Sequence, residues 1–418
     1  MKNIYIFDEY LSSKQNGVGS YMRQLLNCLA GLKDTRLNVV YFNYDESQEF
    51  CILNHNGITY YCFPPLADKY FFNYAPVYSS ILKLHIKDSR ENLFMLNHSP
   101  CEKILRSLKR NFPHSKFTFA IHDQGWAAPL NGDREALRKL ITLKRLPTTN
   151  REKLKFIRDY YHEEKRMYRL VDAVICLTEE FREFVHEFYG VPKEKLYAIC
   201  NAWQQRTSNY TQTRNELRQK LGLYEHEKII VFTGRQHPVK GLYQLFQAFE
   251  NVYQKERNIR LVIIGKNPNI EEYTKLMPTA LSRVIFTGYI KQSDIVDWYR
   301  AADIGILPSY NEQCSYSGIE MLMLGMLVIS TDSQGLTDMF HDNENALVAK
   351  IGNRKDDKEF IASLTETILK ALTLPQEKAE ELSANAKKYA QEKYSLSQMR
   401  EKYIALIEDI YKQQVCIV

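Results

Sequence analysis

No apolar run in the 418 residues approaches the roughly 20 needed to cross a bilayer. The opening MKNIYIF lacks an apolar signal core followed by a small-residue cleavage site. Cys416 stands too close to the end for a prenylation box. The expected location is therefore cytoplasmic, with peripheral attachment to the inner face of a membrane as the variant. The eight cysteines form no C-x-x-C pair and no zinc-finger spacing. Several lie inside apolar runs, which reads as buried reduced thiols, with no metal site expected. A dominant charge is missing too, since 56 Lys and Arg against 50 Asp and Glu leave a net +6. That balance suits phosphate-bearing ligands or an anionic membrane face and is too small to argue for nucleic acid. An aromatic RNA-binding signature and an internal repeat of fixed period are also absent.

What the chain does contain is a βα rhythm. Its length is too great for one comfortable core and suits two α/β domains. Short apolar runs rich in Val, Ile, Phe and Tyr recur at 3–7, 37–42, 58–63, 93–96, 117–121 and 173–177. Continuous apolar runs suit buried parallel strands, and the helical stretches between them predict a doubly wound sheet. After 3–7 a polar, Gly-containing loop is expected through Gly19, then a helix over 21–32. A basic helical stretch lies between Asn131 and Arg169; acidic residues are interleaved in it, so it reads as a solvated face or an attraction for anionic surfaces. The polar segment 201–218 reads as a linker. A second series of strands follows at 228–234, 260–265, 284–288, 302–307 and 326–331. Amphipathic helices close the chain over 359–374, 377–392 and 396–412.

The strongest chemical signal is PSYNEQCSYSGIE, residues 308–320. It joins an apolar strand to an apolar helix, and ligands of parallel α/β sheets bind beyond the carboxyl ends of strands. Glu312 and Glu320 stand eight residues apart across the turn. Free amides at the helix start, around Cys314, Ser315 and Tyr316, favour an anion. A nucleotide sugar needs amides for its diphosphate and carboxylates for its hydroxyls. VFTGRQHPVKG, residues 231–241, ends a strand in Gly234 and supplies Arg235 and Lys240, two cations able to neutralise a diphosphate without a metal. QNGVGSY, residues 15–21, offers Gly17 and Gly19 for close backbone approach or positive φ, but lacks the third glycine of a dinucleotide fingerprint. FAIHDQGW, residues 119–126, puts His122 at a strand end, where it can bond a sugar hydroxyl or position an acceptor. His98 is a poorer candidate for the same role.

The spacing of Glu312 and Glu320 is similar to the E-x7-E motif of glycosyltransferase family 4, and its flanks resemble that family. Residues 231–241 resemble its G-R-x-x-x-x-K-G segment. Residues 171–181, 200–203, 330–339 and 343–348 resemble further family segments. The resemblance implies a GT-B fold: two Rossmann-like doubly wound domains facing across a cleft. It places an acceptor-binding domain at 1–203, a nucleotide-sugar-binding domain at 204–395 and a helix at 396–418 returning to the first. By the resemblance, Arg235 and Lys240 carry the diphosphate, Glu312 meets hydroxyls of the transferred sugar, Glu320 holds the ribose, and Gly265 ends a strand near the base. His122 lies near the donor sugar, and the Gly17 loop meets the donor phosphate. Cys314-Ser315 departs from the usual Phe-Gly and bears on sugar choice. Asn16-Gly17 departs from the usual Gly-Gly.

The expected activity is a retaining, metal-independent hexosyl transfer from a UDP-sugar or GDP-sugar to a glycan, lipid-linked or peptide acceptor. No D-x-D triplet supports a metal-dependent arrangement, and no separate cofactor is expected. A non-catalytic GT-B partner subunit and a sugar-nucleotide epimerase are the alternatives. Fold alone does not decide the acceptor.

Overall fold

The apolar runs become strands buried on both faces, and the amphipathic stretches between them become covering helices. The computed structural model describes residues 1–14, 17–66, 74–97, 102–204, 211–266 and 270–412. His98, Cys101, Cys416 and the Gln15-Asn16 pair lie outside the described residues. Backbone contacts divide the chain into two units. The first is Met1–Trp126, Arg134–Ala202 and Leu396–Val418; the second is Ala127–Asp133 and Trp203–Ser395. Seven residues between His122 and the basic helices thus belong with the second half, which local sequence pattern does not signal.

The first unit holds an eight-stranded sheet. Its strands are β1 (Lys2–Glu9), β2 (Thr35–Phe42), β3 (Cys51–His55), β4 (Ile58–Cys62), β5 (Asn92–Asn97), β6 (Lys116–Ala120), β7 (Ala173–Cys176) and β8 (Leu196–Ala198). Their order is β3-β4-β2-β1-β5-β6-β7-β8. Only the β3–β4 pairing is antiparallel. β3 escaped the sequence reading because its exposed CILNH has neither an apolar run nor a clean alternation. Helix Gly17–Leu29 buries Tyr21, Met22, Leu25, Cys28 and Leu29 at the spacing of one apolar stripe. Helix Leu396–Lys412 packs along it and belongs to this unit. The Tyr21 and Tyr403 hydroxyls bond each other, and Arg400 Nη1 donates to the Cys28 carbonyl at 2.5 Å and the Ala30 carbonyl at 3.0 Å. Those carbonyls end a helix, where a cation is favoured.

The second unit holds six parallel strands: β9 (Lys228–Thr233), β10 (Ile259–Ile264), β11 (Val284–Gly288), β12 (Ile304–Ile306), β13 (Leu327–Thr331) and β14 (Leu347–Ala349). Their order is β11-β10-β9-β12-β13-β14. Successive strands step one way from β9 to β11 and the other way from β12 to β14, so the topology reverses between β9 and β12. Ligands of such sheets bind where the order reverses.

Two expectations need correction. Gly17 and Gly19 are not in an open loop: the helix begins at Gly17, and Gly19 has no positive φ. Close approach is what Gly19 supplies, since a Cβ there would lie 2.1 Å from the Ser13 carbonyl oxygen. The segment expected as a linker contains helix Arg214–Lys220. Thr213 caps it, accepting from the Glu216 amide while Glu216 bonds back to the Thr213 amide. The basic stretch forms helices Arg134–Thr142 and Arg151–Leu170. Arg134 pairs with Glu180 at 2.6 Å and Arg166 with Glu102 at 2.8 Å, so part of its charge is locally compensated. No described helix is long and apolar enough to cross a membrane.

Candidate active site

β9 and β12 are hydrogen-bonded neighbours, so the segments that leave their carboxyl ends run side by side. The Tyr310 amide donates to the Val239 carbonyl at 2.8 Å. Gly241, at φ 69°, lies so close to the Pro308 carbonyl that a Cβ would stand 1.9 Å from its oxygen. Any larger residue would push the two loops apart. This pairing brings Lys240 to Glu312: Nζ donates to Oε1 at 2.6 Å, and Ser309 Oγ donates to the same oxygen at 3.0 Å. The two side chains are only 17% and 12% exposed, which strengthens the pair relative to a surface one. Gly335, at φ 78°, closes the far side, where a Cβ would stand 2.2 Å from the Glu312 carbonyl oxygen.

Arg235 follows Gly234 at the exit of β9, is exposed, and has no acidic partner among the described residues. Gly234 and Gly265 end adjacent strands; the Gly234 amide bonds the Ile264 carbonyl at 3.0 Å, and a Cβ on Gly265 would stand 2.3 Å from the Gly234 oxygen. Ser315 caps helix Tyr316–Met323, its side chain accepting from the Gly318 amide at 3.3 Å. The positive end of this helix dipole therefore lies at the Ser315 loop, where an anion is favoured. Glu320 sits one turn on and is buried; Gln292 Nε2 donates to its Oε1 at 3.0 Å, and the buried Tyr299 side chain lies close by. Glu312 and Glu320 are thus both held by donors before any ligand arrives. Cys314, buried and in no disulfide, lies between them in the chain.

Sequence reasoning missed Ser309, Gln292 and Tyr299, which have no motif and become neighbours only through the fold. It also missed Gln313. Both polar atoms of its buried amide lack a hydrogen-bond partner among the described residues, an expensive state unless water or a ligand supplies one.

His122 and Gly17 belong to the first unit. His122 is half-buried just beyond β6, its ring edge-on to Tyr21 with centroids 4.3 Å apart. The residues after it are pinned from below. Glu164 Oε1 accepts from the Gly125 amide at 3.0 Å, and Oε2 accepts from the Tyr189 hydroxyl at 2.6 Å. Tyr189 in turn accepts from Gln124 Nε2 at 2.8 Å and Trp126 Nε1 at 3.1 Å. Glu164 is fully buried, and burial pushes its pKa up to about 8 despite those hydrogen bonds. Its folded pKa exceeds its unfolded one, so the native state binds the extra proton and stability falls as pH rises from about 4.5 to about 8. Glu164→Gln is expected to flatten that slope. Denaturation midpoints at pH 5.5 and 8.5 check it: an equal pH difference in wild type and variant would remove Glu164 as its source.

Comparisons with known proteins bear on the family and the fold. Residues 15–203 match the model described as Glycosyltransferase Family 4, and residues 213–389 match the one described as Glycosyl transferases group 1. The alpha-monoglucosyldiacylglycerol synthase of Streptococcus pneumoniae is 30% identical over 177 residues, which is 41% of this chain and 40% of that protein. The chain spans about half the length of the first curated relatives it matches. Sucrose-phosphate synthase from Thermosynechococcus elongatus superposes with a TM-score of 0.76 at 17% identity, covering 99% of this chain and 100% of that one. Anabaena HepE, solved in complex with UDP and glucose, gives 0.66 at 16%, covering 98% and 100%. Both units have the parallel, Rossmann-like sheets of the GT-B type, and with each half matched by its own model, the chain belongs to the family 4, group 1 glycosyltransferases.

Proposed function

We propose that this chain is a retaining hexosyltransferase that uses a nucleoside diphosphate sugar, UDP-linked in the first instance, GDP-linked as the variant, and glycosylates a glycan, lipid-linked or peptide acceptor. The observation that carries the reading is the Lys240–Glu312–Ser309 contact beside an Arg235 with no acidic partner among the described residues, at the carboxyl edge where the strand order reverses. Preference for UDP rests on the HepE complex. Arg235, Lys240 and the first-turn amides of helix Tyr316–Met323 take the diphosphate. Glu312 takes sugar hydroxyls, Gln313 adds an amide there, and Glu320 takes the ribose. Gly234 and Gly265 leave room for the nucleotide, and His122 bonds a sugar hydroxyl.

In the reaction, the bond from the anomeric carbon to the phosphate oxygen breaks and one to the acceptor oxygen forms on the same face. The acceptor proton passes to the departing phosphate oxygen. Charge on the diphosphate rises as its bond breaks, and preformed cations and amides stabilise it without reorganising. The two side-chain cations perform that neutralisation without a divalent metal. The activity is expected to be cytoplasmic, with peripheral membrane contact if the acceptor is lipid-linked.

A thermal-shift panel of UDP, GDP, ADP and their sugars tests the donor. UDP and UDP-sugars are expected to raise the melting midpoint; a panel in which no nucleotide does so ends the proposal. Glu320→Ala is expected to weaken UDP binding by about 1.5–3 kcal/mol, roughly 10- to 150-fold, the usual cost of a hydrogen bond to a charged group. Unchanged affinity by calorimetry would remove Glu320 from the ribose.

A further inference from the structure

The first sheet gathers polar residues at its amino-terminal edge, far along the strands from His122. β1, β2, β4 and β5 are parallel neighbours, and residues in register across them share a face. One row reads Thr59, Asn38, Tyr5; the next reads Arg36, Asn3, Asn92. Interior strands of parallel sheets are ordinarily apolar on both faces, so two polar rows there need a reason.

A cavity of about 420 Å³ opens over them, walled by His85 and Lys87 at the end of helix Ala75–His85. Tyr5, Asn38 and Tyr61 form its floor and are only 7%, 2% and 8% exposed. Asn38 Nδ2 donates to the Ile4 carbonyl at 3.3 Å. Its Oδ1 and the Tyr5 and Tyr61 hydroxyls have no hydrogen-bond partner among the described residues. These atoms are not sealed from water, so all three are open to bond whatever enters the cavity. The rim carries two cations, Arg36 and Lys87, which are exposed and make no ion pair among the described residues, with the exposed His85 ring beside them and the single carboxylate of Glu91. Burial pushes both phenols up, Tyr5 to about 12, and the Arg36 charge works against that rise on each.

We infer that this cavity binds a small phosphorylated polyol, its phosphate on Arg36 and Lys87 and its hydroxyls on Tyr5, Tyr61 and Asn38. The two cations at the mouth, Arg36 and Lys87, match a phosphate dianion, and phenol and amide groups on the floor both donate to and accept from hydroxyls. The site lies at the edge opposite the one that carries His122, so its ligand is an effector rather than a reactant. The inference stands independently of the donor assignment.

Calorimetric titration of the full chain with glucose 6-phosphate, glucose and inorganic phosphate tests it. Glucose 6-phosphate is expected to bind one to one and more tightly than either fragment. Arg36→Gln with Lys87→Gln is expected to weaken it by about tenfold or more. These side chains are exposed, so the fold survives their loss. Tyr5→Phe with Tyr61→Phe is expected to weaken glucose 6-phosphate and leave inorganic phosphate unchanged, and Arg235→Ala with Lys240→Ala to leave both unchanged. No binding at millimolar concentration overturns the inference. So does binding that survives the Arg36 and Lys87 changes, binding lost with Arg235 and Lys240, or inorganic phosphate binding as tightly as the sugar phosphate.

Discussion

Lys240→Ala is expected to cost about 2–4 kcal/mol of transition-state stabilisation, roughly 30- to 900-fold in turnover, by analogy with deleted oxyanion donors. Arg235→Ala is expected to fall in the same range. The two losses differ in origin. Arg235 is exposed and has no acidic partner among the described residues, so its removal takes a charge from the diphosphate and little from the fold. Lys240 also balances Glu312, which keeps only the Ser309 hydroxyl when the ammonium is gone. Lys240→Ala therefore also disturbs the carboxylate assigned to the sugar and should raise KM for the donor as well as lower kcat. Lys240→Arg is not a neutral control, because a planar fork does not reproduce a point charge 2.6 Å from one oxygen. Steady-state kinetics with the donor identified by thermal shift decide the matter. Wild-type turnover in either alanine variant would refute the assignment.

The largest expected loss of stability comes from Glu227→Ala. Glu227 is 2% exposed and accepts from Arg260 Nε and Nη2, at 2.7 and 3.0 Å, with Arg283 as a further partner. Removing the carboxylate leaves two guanidinium groups facing each other at the start of β10 and β11. Breaking a buried ion pair costs about 3–5 kcal/mol, and the partly exposed arginines put this case near about 3. The second unit should then melt about 6–12 °C lower, taking about 2–4 °C per kcal/mol for its size. Burial opposes the Glu227 charge, but Arg260 and Arg283 hold its pKa below the ordinary value. A depressed carboxyl pKa contributes stability above the unfolded value that is lost as pH falls through the folded one. The gap between wild type and variant should therefore narrow in acid. Calorimetric scans at pH 7 and pH 3 check both points, and an unchanged midpoint at pH 7 would show the network to be dispensable.

Much of the candidate site was legible because its charged residues are local in sequence. Glu312 and Glu320 come from one strand–loop–helix segment, and Arg235 and Lys240 from another. What the sequence concealed was how the segments meet. That Tyr310 bonds Val239, that Ser309 serves Glu312 and that Gln292 reaches Glu320 from another helix follow from strand order, which no single segment encodes. The parallel strands were readable because burial on both faces makes them uniformly apolar. β3 was not, because an exposed antiparallel edge carries no such signal. Glycine also misled: the G-x-G near the start suggested an open loop, whereas the structure uses Gly19 to let a helix turn pass a carbonyl. Glu164 looked like one more charge on a basic amphipathic helix, and only its burial separates it from its exposed neighbours.

Helix Leu396–Lys412 has a consequence for how the chain is made. The ribosome delivers it only after every residue of the second unit, yet it covers Tyr21 and caps the carbonyls of Cys28 and Ala30 in the first. The nascent first unit must wait with an apolar helix face uncovered while some 190 residues of its neighbour are translated and fold. Nascent chains halted before residue 396 should therefore expose a sticky surface that chaperones recognise, and the opening residues should resist protease only once synthesis has passed Tyr403.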